Sequence, residues 1–236
     1  MKEVKTKCQV YQELCYEAQP PLTLKEVEDA IKKRMETIKN EFTAGFEMIK
    51  KYPRSVTFFG SSSFMNDNEY YKLAEELAGR IVKELNYAVV SGGGPGIMEA
   101  ANKGAYEACG HSLGIVIKLI IQLNNDYLND FREFSFFFIR KVILSFSSET
   151  YIFFPGGFGT MDELFEILTL VQTKKIPPVP IILVGSKFWN KLDEFIRETL
   201  LKENSTIDAK DMSTYKITDS IEEVIEIIKN APLRKE

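Results

Sequence analysis

One stretch constrains this chain more than any other: Phe154-Pro155-Gly156-Gly157-Phe158-Gly159-Thr160-Met161-Asp162-Glu163. The β-branched and aromatic run from Thr150 to Phe154 halts at Pro-Gly-Gly, and Glu163-Leu164-Phe165-Glu166-Ile167-Leu168 then takes up helical spacing. The order is strand, glycine loop, helix. The first N–H groups of a helix have no internal partner and carry the positive end of the helix dipole, so an anion is favoured there. Glycine lets backbone approach such a ligand without a Cβ in the way. Thr160 can cap the helix or donate its hydroxyl to a phosphate oxygen. Asp162 and Glu163 fall in what the pattern predicts as the first helical turn. They stand there either as acids that suit the dipole or as acids that face the anion.

Two further loops have the same design. Tyr87-Ala88-Val89-Val90 is a buried-strand pattern and runs into Ser91-Gly92-Gly93-Gly94-Pro95-Gly96, after which Met98, Ala101 and Ala105 keep helical spacing. Val56-Thr57-Phe58-Phe59 runs into Gly60-Ser61-Ser62-Ser63. In a parallel sheet all three loops would open at one edge, beyond the carboxyl ends of the strands, where α/β folds bind ligands. The three together point to a nucleotide or phosphate site. Neither glycine loop is a dinucleotide fingerprint, since Ile97 and Asp162 stand where a third glycine belongs, and no GxxxxGK[ST] occurs.

Strand patterns at 56–60, 87–91, 113–118, 150–154, 180–185 and 214–218 alternate with helical ones at 68–85, 97–109, 133–147, 160–174, 188–203 and from Ser220 to Lys229. The alternation predicts a doubly wound, Rossmann-like α/β parallel sheet over 51–236. Residues 1–50 are polar, and Leu24, Val27, Ile31 and Met35 have helical spacing; Thr23 and Glu26 are placed as a capping box. This predicts an N-terminal helical extension.

Composition narrows the function. A net charge of −4 argues against a nucleic-acid binder. Three scattered cysteines (Cys8, Cys15 and Cys109) suit a reducing, cytoplasmic compartment, and a single histidine, His111, leaves little for a His-based metal site or a Ser-His-Asp triad. The longest apolar run, Leu113 to Leu123, contains Lys118 and Gln122 and is too short to span a bilayer. In Phe136-Phe137-Phe138-Ile139-Arg140-Lys141-Val142-Ile143-Leu144 a basic pair interrupts an apolar helix. Arg140 there needs a partner, because an unpaired buried charge is costly. Either Arg140 pairs with a structural carboxylate or snorkels to water, or it faces a nucleotide.

With these residues in view, the chain resembles the LOG (Lonely Guy) family, often labelled lysine decarboxylase. Pro155 to Glu163 fits its PGGxGTxxE signature, Gly92-Gly93-Gly94-Pro95-Gly96-Ile97-Met98-Glu99-Ala100 its second glycine loop, and Arg140-Lys141 its basic pair. The resemblance runs from about Arg54 to Lys229. It implies a phosphoribohydrolase that cuts the N-glycosidic bond of a nucleoside 5′-monophosphate such as AMP or a cytokinin riboside monophosphate. Arg140 and Glu163 would be catalytic. Gly60, Ser61, Ser62, Gly92, Gly93, Gly94, Gly96, Lys141, Gly156, Gly157, Phe158, Gly159, Thr160 and Asp162 would bind substrate and phosphate. No metal or organic cofactor is implied, and a homodimer or higher homo-oligomer is. Cleaving a ribosyl C–N bond builds positive charge on the sugar, which a carboxylate stabilises while it orients water, as glycosidase carboxylates do. The chain departs from the family at Leu119 to Leu123, where many members carry Pro-x-Glu and this chain has Gln122. That departure leaves a rival of another class, a non-catalytic nucleotide or molybdopterin carrier.

Overall fold

The computed structural model describes residues 22–119 and 124–232. Gln122 and its neighbours, Cys8 and Cys15 lie outside them. The described residues separate into two compact units, one ending at residue 39 and the other beginning at residue 40. In the first, helix α1 (Leu24–Ile49) opens on the expected capping box: the Glu26 carboxylate accepts from Thr23 N at 2.8 Å, and Glu26 N donates to Thr23 Oγ1 at 3.3 Å. The helix runs on into the second unit.

The second unit is built on seven parallel strands: β1 (Ser55–Phe59), β2 (Ala88–Ser91), β3 (Ser112–Ile117), β4 (Asp130–Phe134), β5 (Thr150–Phe153), β6 (Ile181–Val184) and β7 (Lys216–Thr218). Their order is β4-β3-β2-β1-β5-β6-β7, so the winding reverses between β1 and β5. Every residue of β1, β2, β3, β5 and β6 is buried, as expected of strands covered on both faces. The polar strands, β4 and β7, take the two edges.

The flanking helices are α2 (Glu69–Leu85), α3 (Ile97–Glu107), α4 (Phe137–Phe146), α5 (Phe158–Gln172), α6 (Ser186–Phe195) and, after the last strand, α7 (Ile221–Asn230). On one face, Tyr71, Leu77, Ile81, Ile97, Ala101, Val224 and Ile228 form a core with Val56, Phe58, Val89, Ile152 and Ile182 of the sheet. On the other, Phe59 and Phe153 stack with centroids 4.7 Å apart, and Gly45 near the end of α1 lies against Ile143 of α4. Among the described residues no helix is long and apolar enough to cross a membrane.

Three sequence expectations change. Strand β4 replaces the start of the helix expected from 133. Its residues Asp130, Phe131, Arg132 and Glu133 are partly or largely exposed at the sheet edge, so they lack the burial pattern of a central strand. The sheet unit begins at residue 40 rather than 51, because the last turns of α1 pack with it. Finally, α5 begins at Phe158, not Thr160, so it has no acid in its first turn and Asp162 and Glu163 fall in the second.

Helices α2 and α3 meet through glycine. A Cβ on Gly104 would collide with the backbone carbonyl of Glu75, which cannot withdraw as a flexible side chain could. We expect Gly104→Ala to cost about 1–3 kcal/mol through overpacking. Urea denaturation would check this, and an unchanged midpoint would disprove it.

Candidate active site

The reversal between β1 and β5 is where a doubly wound sheet opens a crevice at its carboxyl edge. The loops after β1, β2 and β5 converge there. Ser61 N donates to Pro155 O at 3.0 Å, and Ile97 N donates to Ser61 O at 3.0 Å, so one residue of the first loop bonds to both others. Gly96 has φ +74°, and a Cβ there would collide with Ser61 O. A Cβ on Gly156 would collide with Thr160 Oγ1. These glycines are demanded by contact between loops.

Between the loops lies a cavity of about 380 Å³, lined by Phe59, Gly60, Ser61, Ser62, Ser63, Gly92, Met98, Phe137, Arg140, Gly157, Phe158, Gly159, Thr160, Asp162 and Glu163. Most of the residues singled out in the sequence are there. Gly93, Gly94, Gly96 and Gly156 are not. They shape the wall from behind: Gly93 N donates to Ser91 Oγ at 2.9 Å, and Asn125 donates to Gly94 O at 3.1 Å. Lys141 is not in the wall either. Its ammonium lies 2.6 Å from Asp162 Oδ2 and 2.7 Å from Glu166 Oε2, so those carboxylates take the cation that was expected to meet phosphate. Glu99 likewise accepts from Tyr71 OH at 3.0 Å.

The floor carries the two charges. Arg140 sits in the first turn of α4 and donates Nε to Ile115 O at 2.8 Å. Its guanidinium lies against Gly92, where a Cβ would collide with it. Arg140 Nη1 is 3.8 Å from Glu163 Oε1, an ion pair too long for a hydrogen bond. Glu163 is 6% exposed, and its Oε2 is buried with no hydrogen-bond partner. Burial raises its pKa to about 7, against the opposing pull of Arg140 and Lys141. Burial also works against the charge of Arg140, while Glu163 supports it.

The rim is the start of α5. Gly157 stands at its N-cap with no side chain capping the helix, so the first N–H groups, from Phe158 on, have no side-chain acceptor. A Cβ on Gly157 or Gly159 would meet nothing within 4 Å. The protein itself leaves room for a side chain there, so what glycine keeps clear is the approach to these N–H groups.

Sequence reasoning missed Phe59, Ser63, Met98 and Phe137 in the wall. Ser63 could have been found as the third serine of its loop. The others are apolar residues whose patterns match those of core residues.

The profile of a family described as "Possible lysine decarboxylase" matches residues 98–228. The chain belongs to this family, the LOG family. Among curated relatives, the probable cytokinin riboside 5′-monophosphate phosphoribohydrolase LOG6 of Arabidopsis thaliana is 30% identical over 131 residues, which span 53% of this chain and 65% of LOG6. The probable enzyme LOGL3 of Oryza sativa is 28% identical, covering 64% of this chain and 72% of the relative. Among solved structures, TM1055 superposes with a TM-score of 0.57 at 24% identity, over 75% of this chain and 98% of that one. The molybdenum cofactor binding protein of Rippkaea orientalis gives 0.53 at 24%, over 74% and 93%. At that identity the structures establish a shared Rossmann-like fold.

Gly159→Ala separates the needs of the fold from those of a ligand. The variant should fold with stability equal to or about 0.5–1 kcal/mol above wild type, since alanine suits a helix better. Its KM for AMP should rise about tenfold or more, because a methyl group would stand in the approach to the helix-start N–H groups. Thermal melts and steady-state kinetics check both, and an unchanged KM would remove this loop from binding.

Proposed function

We propose that this chain hydrolyses the N-glycosidic bond of a nucleoside 5′-monophosphate, AMP or a modified AMP, to free base and ribose 5-phosphate. The observation that carries the reading is Glu163: a buried carboxylate with one unpartnered oxygen, 3.8 Å from Arg140 on the floor of a cavity whose rim is an uncapped helix start. A structural ion pair would close to hydrogen-bond distance and satisfy both oxygens, because unmade bonds on buried charge are costly.

The 5′-phosphate seats on the first N–H groups of α5, with Thr160 and the serines of the first loop in reach of its oxygens. Anchoring the phosphate fixes the sugar, so binding energy remote from the scissile bond assists cleavage. As the C1′–N bond breaks, the Glu163 carboxylate stabilises the cationic sugar and orients the attacking water. Arg140 stabilises the departing base, which gains electron density.

A homodimer in the cytoplasm belongs to the same proposal. The cysteines support the compartment. Phe46, Phe138 and Phe146 are each at least 41% exposed, and they form a connected aromatic surface through Phe42, whose ring lies 6.3 Å from Phe46 and 6.4 Å from Phe138, with Phe46 6.1 Å from Phe146. Such a patch is costly to leave in water. Sedimentation at micromolar concentration should give a dimer, and Phe138→Ser with Phe146→Ser should shift it toward monomer. A wild-type monomer would overturn this part.

The test of function is release of base and ribose 5-phosphate from a panel of nucleoside monophosphates. AMP should far exceed adenosine, which lacks the anchor, and equal rates would refute the phosphate assignment. The acid limb of kcat/KM should rise through a pH of about 7, where Glu163 ionises. Glu163→Gln should lower kcat by about 100-fold or more while nucleotide still binds. The same variant should be more stable than wild type above pH 7. The raised pKa means that folded Glu163 keeps a proton that the unfolded chain releases above its ordinary value of 4.5. Stability is therefore lost as pH climbs from about 4.5 to 7, on the order of a few kcal/mol in all. Tight binding without cleavage across the panel would make the protein a carrier.

A further inference from the structure

The basic residue next to Arg140 is absent from the cavity wall, yet it is the most heavily paired lysine near the site. Lys141 Nζ lies 2.6 Å from Asp162 Oδ2 and 2.7 Å from Glu166 Oε2, and its side chain is 18% exposed. On α5, Asp162 and Glu166 are i and i+4, and Glu163 lies between them in sequence. Neighbours three and four apart share a helix face, and like charges at those spacings repel. The charged groups bearing on Glu163 are therefore four: Arg140 and Lys141 from α4, and Asp162 and Glu166 from its own helix. Arg140 is already fixed to Ile115 O.

We infer that Lys141 is a positioning residue for Glu163: pinned between Asp162 and Glu166, it ties the second turn of α5 to α4 and supplies a fixed positive charge behind the carboxylate. Lys141 does not touch the ligand. It neutralises the two flanking acids, whose repulsion would otherwise hold a proton on Glu163. Burial pushes Glu163 toward its neutral form, Arg140 and Lys141 oppose this, and Asp162 and Glu166 add to it. Removing Lys141 deletes one opposing cation and frees two anions, so both consequences act in the same direction.

The kinetic readout rests on the hydrolysis proposed above; the titration readout does not. Lys141→Met, Lys141→Arg and Glu166→Gln would be compared with wild type. In each, the Glu163 side-chain carboxyl is titrated by carbon NMR on glutamate-labelled protein, with Glu163→Gln assigning the signal. The pH dependence of AMP cleavage is measured alongside. Lys141→Met should move both the midpoint and the acid limb to higher pH. At pH 6 its rate should fall about tenfold, the effect of a shift of one unit, while its KM for AMP stays within about twofold. Lys141→Arg should restore the wild-type midpoint, and Glu166→Gln should move it to lower pH.

An unmoved midpoint in Lys141→Met, with or without a lower melting temperature, would make Lys141 merely structural and overturn the inference. So would a tenfold rise in KM with an unmoved limb, which would mark a phosphate ligand. If Lys141→Met fails to fold, Glu166→Gln decides: a midpoint that stays or rises overturns the inference. If wild type cleaves no nucleotide, the proposed function falls, and the titration still decides the role of Lys141.

Discussion

The site depends on a short backbone seam through Ser61. Its N–H reaches Pro155 O and its carbonyl receives Ile97 N, so the loops after β1, β2 and β5 are bonded to one another before any ligand enters. Such a crossing leaves no volume for side chains. Gly96 takes a positive φ with its α-carbon against Ser61 O, and Gly156 packs on Thr160 and Ser61 N. These contacts bring the starts of α3 and α5 to one point above the β1/β5 reversal. The glycine-rich loops thus contain two kinds of glycine. Those at 96 and 156 are needed so that loops can touch, whereas at 157 and 159 a Cβ would meet nothing within 4 Å and packing does not call for glycine. Both kinds are glycines in strand-loop-helix units, and only the packing tells them apart.

The fold was largely legible because parallel strands buried on both faces are apolar throughout, and five of the seven read that way. The edges were harder. β7 was faint and β4 was missed, because Asp130-Phe131-Arg132-Glu133 is a polar run next to the apolar Phe134 to Leu144 stretch, which drew the helix expectation back to 133. Edge strands carry charge to deter pairing with other chains, and the same charge hides them from a search for buried strands.

The residues of the site were legible through their motifs, and their roles were not. Glycines, Arg140 and Glu163 stand out by type and spacing. Lys141 stands out equally, yet it turns to carboxylates on α5 instead of the cavity. Adjacent positions on a helix point about 100° apart, so a basic pair sends its two charges to different places. Phe137, three residues before Arg140, shares its helix face and lines the cavity, although it reads as ordinary apolar filling.

The start of α5 decides what its acids are for. An acid in the first turn would complement the helix dipole, and no further explanation would be required. Because the helix starts at Phe158, Asp162 and Glu163 lie beyond the turn where that effect operates. Lys141 pairs with Asp162 at 2.6 Å and with Glu166 at 2.7 Å, so both have a cation in contact, although Glu166 Oε2, like Glu163 Oε2, is buried without a hydrogen bond. Glu163 is left buried, with one oxygen unpartnered and Arg140 held just beyond hydrogen-bond distance. Repacking could relieve that arrangement through a closer pair or a neutral side chain. A fold that keeps it pays in stability for a carboxylate facing the cavity, which is what a group has to do to act on a substrate.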